Sequence, residues 1–273
     1  MKYFCLALGF FTSLPVPEVE YTEERYRKAV KLIPLVGLVL GAILILVQLL
    51  TIILSLPALI RGAVLTGAYI LLTGGLHFDG LADTCDGVFS GRTREQSLEI
   101  MKDSRIGVFG TLGIFMAGLF YFAIFCGAPL VGLLVFPVCG RACCLVSASL
   151  APYAREEGMG KATSMAGGAA SVIAAAISLV GVSFLTIPLS SLVFRLGVGF
   201  TGFTGADRGG VAAAAVVCSL IAACAAVLVT AGMTAKFRKK IGGVTGDTYG
   251  AVIEASSIVY LLVFIVLFKV FQI

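Results

Sequence analysis

Charge is the scarcest commodity in this chain. Of its 273 residues 13% are Asp, Glu, Lys or Arg, while 59% are apolar. Soluble domains carry roughly a quarter charged residues, so this chain has too little charge to coat a globule. That excludes a soluble enzyme, and a mean hydropathy of +1.05 points to an integral membrane protein. The apolar excess also excludes a disordered chain. Histidine occurs once, at His77, which excludes zinc or copper sites built from several imidazoles. The eight cysteines form no Cys-x-x-Cys and mostly sit in apolar runs. They read as reduced, small apolar fillers. The net charge of +5 does not predict a nucleic-acid partner.

What remains is hydrophobic length. About 20 residues cross a bilayer core, and seven runs qualify: 32–56, 62–76, 107–126, 131–150, 169–189, 211–230 and 251–268. The second is short and extends back toward Ala58. The expected fold is all-α, a polytopic transmembrane bundle of about seven spans, forming one integral-membrane domain over 1–273. There is no internal repeat and no room for a separate soluble domain. Residues 1–31 read as an interfacial N-terminal segment; the apolar opening stops at Pro15 and Pro17 and lacks an A-x-A cleavage pattern. Pro57, Pro129, Pro152 and Pro188 read as loop edges. The stretch 190–210 reads as either a re-entrant piece or a weak extra span.

Seven spans sort the connections to two sides. One side holds the N-terminus, 77–106, 151–168 and 231–250, with fifteen Lys and Arg; the other holds three. The positive-inside rule makes the basic side cytoplasmic. Thirteen of the fifteen acids fall on that same side, the exceptions being Asp207 and Glu254.

The densest acidic group is G-G-L-H-F-D-G-L-A-D-T-C-D-G, residues 74–87. Asp79, Asp83 and Asp86 stand at i, i+4 and i+7, one face of a helix. Three carboxylates on one face repel each other, and a divalent cation turns repulsion into coordination. All-oxygen ligation without a second histidine suits Mg²⁺ or Mn²⁺. The bland alternative is an acidic, solvated helix end. Asp103 follows in M-K-D-S-R-I-G, flanked by Lys102 and Arg105. Basic residues beside metal-binding acids point to a phosphate-bearing ligand, or else they anchor the loop at the membrane. Thus 77–106 reads as a cytoplasmic catalytic segment.

A second acidic site is G-G-V-T-G-D, residues 242–247, a glycine-rich turn before the last span. Glycines let backbone N–H groups converge on an anion at a helix N-terminus. Thr245 and Gly246 are candidate phosphate contacts and Asp247 a candidate metal ligand. Glu254, seven residues on, is an acid at membrane depth and therefore a functional candidate. Arg141 is the one basic residue near the middle of a span, so it should face the interior and meet a carboxylate or phosphate. Arg155 and Lys161 follow at the basic side, with an anchoring role equally open. Two other patterns are set aside. G-x-G-x-x-G at 197–202 has no preceding strand, and G-M-G-K-A-T at 158–163 has Ala162 where a P-loop needs Ser or Thr.

The run from Gly74 to Gly87, followed by E-I-M-K-D-S-R-I-G-V-F-G, resembles the cobalamin synthase family. The likeness continues at F-F-T-S-L-P-V-P, G-R-A at Arg141, P-Y-A-R-E-E-G-M-G and G-G-V-T-G-D-T-Y-G-A, in the same order from end to end. Ser13 departs from the family's basic residue, and Ser257 from its frequent second acid. The resemblance implies a multi-pass enzyme of a prokaryotic cell (inner) membrane with its site facing the cytoplasm. It implies transfer of the adenosylcobinamide-phosphate moiety from adenosylcobinamide-GDP to α-ribazole or its 5′-phosphate, releasing GMP. Mg²⁺ would be held by Asp79, Asp83, Asp86, Asp103 and Asp247. Lys102, Arg105, Arg141, Thr245 and Gly246 would hold substrate phosphates. The base would be Asp83, Asp86 or His77. The partners are then the two substrates and the lipid bilayer, with homo-oligomerisation left open. Rival readings are an enzyme of CDP-alcohol phosphotransferase type, whose D-G-x-x-A-R run is not matched at Asp83 and Thr84, and a cation transporter. A transporter would spread its acids through the spans instead of gathering them beside Lys and Arg.

Overall fold

The computed structural model describes residues 1–158, 160–195 and 208–271. Among these residues the protein is all-helical; pairing outside helices is limited to an isolated parallel bridge between Tyr153 and Val244. Six helices are long and apolar enough to cross a membrane: α3 (Ile33–Ile53), α7 (Val108–Phe125), α8 (Leu130–Leu150), α10 (Ala169–Arg195), α11 (Arg208–Ile241) and α12 (Gly246–Val270). α4 (Ala58–Thr73) and α5 (Leu76–Phe89) reach that length only together, as a pair bent by 88° that forms a broken span or a re-entrant loop. Four short helices complete the order: α1 (Lys2–Phe11), α2 (Glu23–Val30), α6 (Arg94–Ile100) and α9 (Gly160–Met165).

The axis of the bundle is α8, 89% buried among its neighbours. Its position follows from small residues on both sides. Gly37 and Gly41 of α3 lie directly on the α8 backbone at Pro137 and Leu134, and Gly140 of α8 lies on Ile253 and Ser257 of α12. In lipid, helices associate by such close packing, because burial from water gives them no drive.

The expected spans appear in order, and three expectations need correction. Pro188 is no loop edge: α10 runs through it. Membrane helices tolerate an internal proline. Most of the 231–250 connection is helix, since α11 continues to Ile241 and carries Lys236–Lys240 on its last turns. Of the ambiguous stretch 190–210, α10 takes the residues to Arg195 and α11 those from Arg208; 196–207, with the G-x-G-x-x-G pattern, lie outside the described residues.

The segments assigned to the basic side do meet at one end of the bundle. Lys240 Nζ donates to the Arg92 carbonyl at 2.7 Å, and Arg94 Nε donates to that of Ile241 at 2.9 Å. The 152–154 strand pairs with Val244 in both directions, at 2.9 and 2.8 Å. From the N-terminal segment, Tyr26 Oη reaches Thr163 Oγ1 at 3.4 Å.

Candidate active site

Two consecutive glycines build the corner that places the acidic motif. Gly74 and Gly75 have φ of +60° and +69°, the left-handed region that other residues enter at a cost of roughly 1–2 kcal/mol. Gly74 ends α4 and Gly75 begins α5. Beyond the corner α5 crosses the first turns of α12 with the backbones in contact. A Cβ on Gly80 would lie 2.8 Å from the Asp247 carbonyl oxygen, and one on Gly250 would lie 3.0 Å from that of His77. The glycines inside the acidic motif are therefore packing residues. They bring Asp79 and Asp83 of α5 beside Asp247 of α12.

The three motif aspartates do not share one role. Asp83 is half-buried, and the charges of Asp247, Asp79 and Asp86 all bear on it, countered by Arg155. Neither Asp83 nor Asp79 accepts a hydrogen bond from the described residues, so both are free to bind. Asp86 is committed. Its Oδ2 accepts from Gly107 N–H at 2.7 Å and its Oδ1 from Gly110 N–H at 2.9 Å, capping the N-terminus of α7. Asp247 Oδ2 accepts from Arg155 Nη2 at 3.0 Å and from Thr245 Oγ1 at 3.3 Å. The same Arg155 nitrogen reaches the Met101 carbonyl at 3.3 Å, which joins the end of α6 to the site.

Among the described residues no three His, Cys, Asp or Glu side chains close on one point as a ready-made metal cage. The donor set still fits one hard cation. Mg²⁺ usually takes one or two protein carboxylates and completes its shell with waters and substrate phosphates. Asp79 and Asp247 offer that arrangement, with Asp83 beside them. Asp103 does not join them: it is held in a fork by exposed Arg105, at 2.6 Å from Nη2. That fork keeps the Asp103 carboxyl well below the usual range, at about 2. Lys102 is exposed on the same loop.

The glycine-rich turn before α12 also differs from an anion cradle. Gly243 lies directly against the Pro152 carbonyl, where a Cβ would not fit. Thr245 is fully buried and forms a capping box with Thr248. Gly246 is exposed, but its N–H lies at the Tyr153 phenol. The turn's glycines thus serve the docking of 152–154, and that docking delivers Arg155. Of the residues expected to hold phosphate, Thr245 bonds Asp247, while Lys102, Arg105 and Arg141 hydrogen-bond none of Asp79, Asp83 and Asp247. Arg155, which sequence marked with an anchoring role equally open, also bonds Asp247.

Deeper in the bundle lies a second polar group. Arg141 is fully buried, with Nη1 donating to the Pro137 carbonyl at 3.1 Å and with Nε and Nη2 unpartnered. Glu254, also fully buried, accepts from Tyr69 Oη at 3.0 Å and Tyr121 Oη at 2.6 Å. His77 is 2% exposed, its Nδ1 3.4 Å from Glu254. It therefore lies beneath the aspartates.

Comparison with known proteins gives the family. Residues 3–265 match the family model described as cobalamin-5-phosphate synthase. The chain is 38% identical to the adenosylcobinamide-GDP ribazoletransferase of Acetivibrio thermocellus, over 97% of each chain. Identity is 37% to the protein of that name from Alkaliphilus oremlandii, over 96% of each, and 34% to that from Fusobacterium nucleatum, over 98% of each. No solved structure matches.

Proposed function

Since the chain belongs to the cobalamin-5-phosphate synthase family, we propose that it joins adenosylcobinamide-GDP to α-ribazole 5′-phosphate, or to α-ribazole itself, and releases GMP. At the coarser level it is a multi-pass membrane transferase that moves the adenosylcobinamide moiety in cobalamin biosynthesis. The family's description, a synthase of cobalamin 5-phosphate, favours the phosphorylated acceptor. The fifteen-to-three basic asymmetry supports a cytoplasm-facing site in the cell membrane.

The reaction is an in-line displacement at phosphorus. A ribose hydroxyl of the acceptor forms the new P–O bond, the bond to GMP breaks, and GMP leaves with the electron pair. Asp83 takes the hydroxyl proton. It is half-buried, bears no donor, and stands among like charges that favour its accepting a proton. Asp86 and His77 are poorer bases here, one capping α7 and the other buried. Asp79 and Asp247 would hold Mg²⁺, which when bound neutralises pyrophosphate charge, leaving Asp83 for the proton. Arg155 adds a fixed positive charge at the same place, held by Asp247 and the Met101 carbonyl.

The observation that carries this reading is the Gly80 crossing of α5 over α12, which unites free carboxylates and an arginine at one end of the bundle. The test is purified protein in detergent with adenosylcobinamide-GDP and each acceptor, with and without Mg²⁺. GMP release that needs both Mg²⁺ and an acceptor is expected. Release without an acceptor, or none at all, overturns the proposal.

A further inference from the structure

We infer that Glu254 is a positioning residue that sets the angle of the Gly74–Gly75 corner and, through it, the separation of Asp79 and Asp83 from Asp247. The inference rests on the aspartate site proposed above. One buried carboxylate touches helices on both sides of the corner, by a hydrogen bond on one side and by a 3.4 Å approach of an imidazole on the other. Tyr69 lies on α4, before Gly74, and donates to Oε1 at 3.0 Å. His77 lies on the first turn of α5, after Gly75, and stands 3.4 Å from the same oxygen. Tyr121 of α7 takes the other oxygen at 2.6 Å.

The corner itself has little stiffness. Both residues are glycine, and a Cβ built on Gly75 would meet nothing within 4 Å. An 88° bend must therefore be held by contacts on either side of it. The Gly80 and Gly250 contacts fix where α5 touches α12, and the Asp86 cap fixes its far end on α7; freedom is left at the turn next to the corner. A tie at the first turn of α5 removes that freedom. Burial makes the tie firm, because a carboxylate in hydrocarbon has no water to exchange with its hydroxyl donors.

The role separates from plain structural support by where each partner sits. Tyr69 and His77 flank the corner, whereas Tyr121 does not. Glu254→Gln, Tyr69→Phe, His77→Asn and Tyr121→Phe would be compared for turnover, KM for adenosylcobinamide-GDP and thermal midpoint. Binding of Mn²⁺ alone would be read from the EPR signal of the free ion. The expectation is that the first three lower kcat about tenfold or more with KM within about threefold, and weaken Mn²⁺ binding several-fold. Tyr121→Phe should lower the thermal midpoint like the others yet keep kcat and Mn²⁺ affinity. Glu254→Asp should restore part of kcat. If all four variants track stability alone, or Tyr121→Phe loses kcat as fully as Glu254→Gln, the positioning role is wrong. If the wild type releases GMP but binds no Mn²⁺, the metal reading fails instead, and the kcat comparison alone decides.

Discussion

Asp86→Asn and Asp83→Asn should fail in opposite ways, although the two residues sit three apart on one helix face. Asp86 accepts two backbone N–H groups, from Gly107 at 2.7 Å and Gly110 at 2.9 Å. Asparagine offers one acceptor oxygen and turns an NH₂ toward the other donor. One charge-assisted hydrogen bond is worth about 1.5–3 kcal/mol. Loss of negative charge at the N-terminus of α7 removes about 0.3–1 kcal/mol more. Asp86→Asn should therefore lower the unfolding free energy by about 2–4 kcal/mol, while the folded fraction keeps turnover within about an order of magnitude of wild type. At Asp83 the substitution removes like-charge repulsion from Asp247, Asp79 and Asp86. Stability should rise by a few tenths of a kcal/mol for each neighbour, and turnover should fall by about 10²-fold or more with the base gone. Reversible unfolding by SDS in mixed micelles gives the free energy, and GMP release per folded molecule gives the turnover. An Asp86→Asn protein as stable as wild type but inactive would refute the division, because Asp86 would then serve the chemistry directly and not as a cap.

Four further outcomes follow from the packing and the pairings. Gly80→Ala puts a methyl 2.8 Å from the Asp247 carbonyl oxygen; neither backbone can yield, so about 1–3 kcal/mol of stability should go, and Mg²⁺-dependent turnover should fall with it. Arg155→Lys keeps the charge but loses the reach of the Nη2 that bonds both Asp247 and the Met101 carbonyl, and kcat/KM should drop by about 10- to 100-fold, the equivalent of 1.5–3 kcal/mol. Arg141→Lys should lower the thermal midpoint and leave KM for the corrinoid donor unchanged, since this guanidinium is fully buried away from the aspartates; a raised KM would show that substrate phosphate reaches it. Cysteines placed at 92 and 239 in a background lacking native cysteines should label from the same side of the membrane, because Lys240 bonds the Arg92 carbonyl; labelling from opposite sides would contradict that contact.

The spans were legible in sequence because bilayer thickness dictates length and composition directly. The helix under Asp79, Asp83 and Asp86 was legible too, from spacing alone. Spacing says which residues share a face, not what faces them, and so Asp86 was expected as a metal ligand or base where the structure has it capping α7. The basic residues misled for a related reason. Charge pattern marked Lys102 and Arg105 as phosphate contacts, yet Arg105 is satisfied two residues away by Asp103. Arg155 meets its partner 92 positions along the chain, and no local pattern announces that pairing. Glu254 was legible as a costly residue; its two tyrosines and His77, arriving from three other helices, were not.

The corner at Gly74–Gly75 explains why the motif begins with glycines. Were α4 and α5 one straight helix, Asp83 would stand nine residues beyond Gly74, about 14 Å further along the bundle axis at 1.5 Å per residue. The aspartates would then project past the end of the bundle into water, clear of Asp247, where mutual repulsion is screened and little is left for a cation or a proton to relieve. Turning the chain by 88° instead lays α5 over the start of α12, where burial keeps the carboxylates' repulsion strong. A side chain at either glycine would have to enter the left-handed region, and at Gly74 its Cβ would also lie 2.8 Å from Ser13 Oγ. The N-terminal segment thus packs against the outside of the bend, with Ser13 N–H donating to the Leu72 carbonyl at 2.9 Å, while Glu254 holds it from the inside. Bracing on both faces of two consecutive glycines makes the bend a fixed geometry, and that geometry converts an acidic helix into a site.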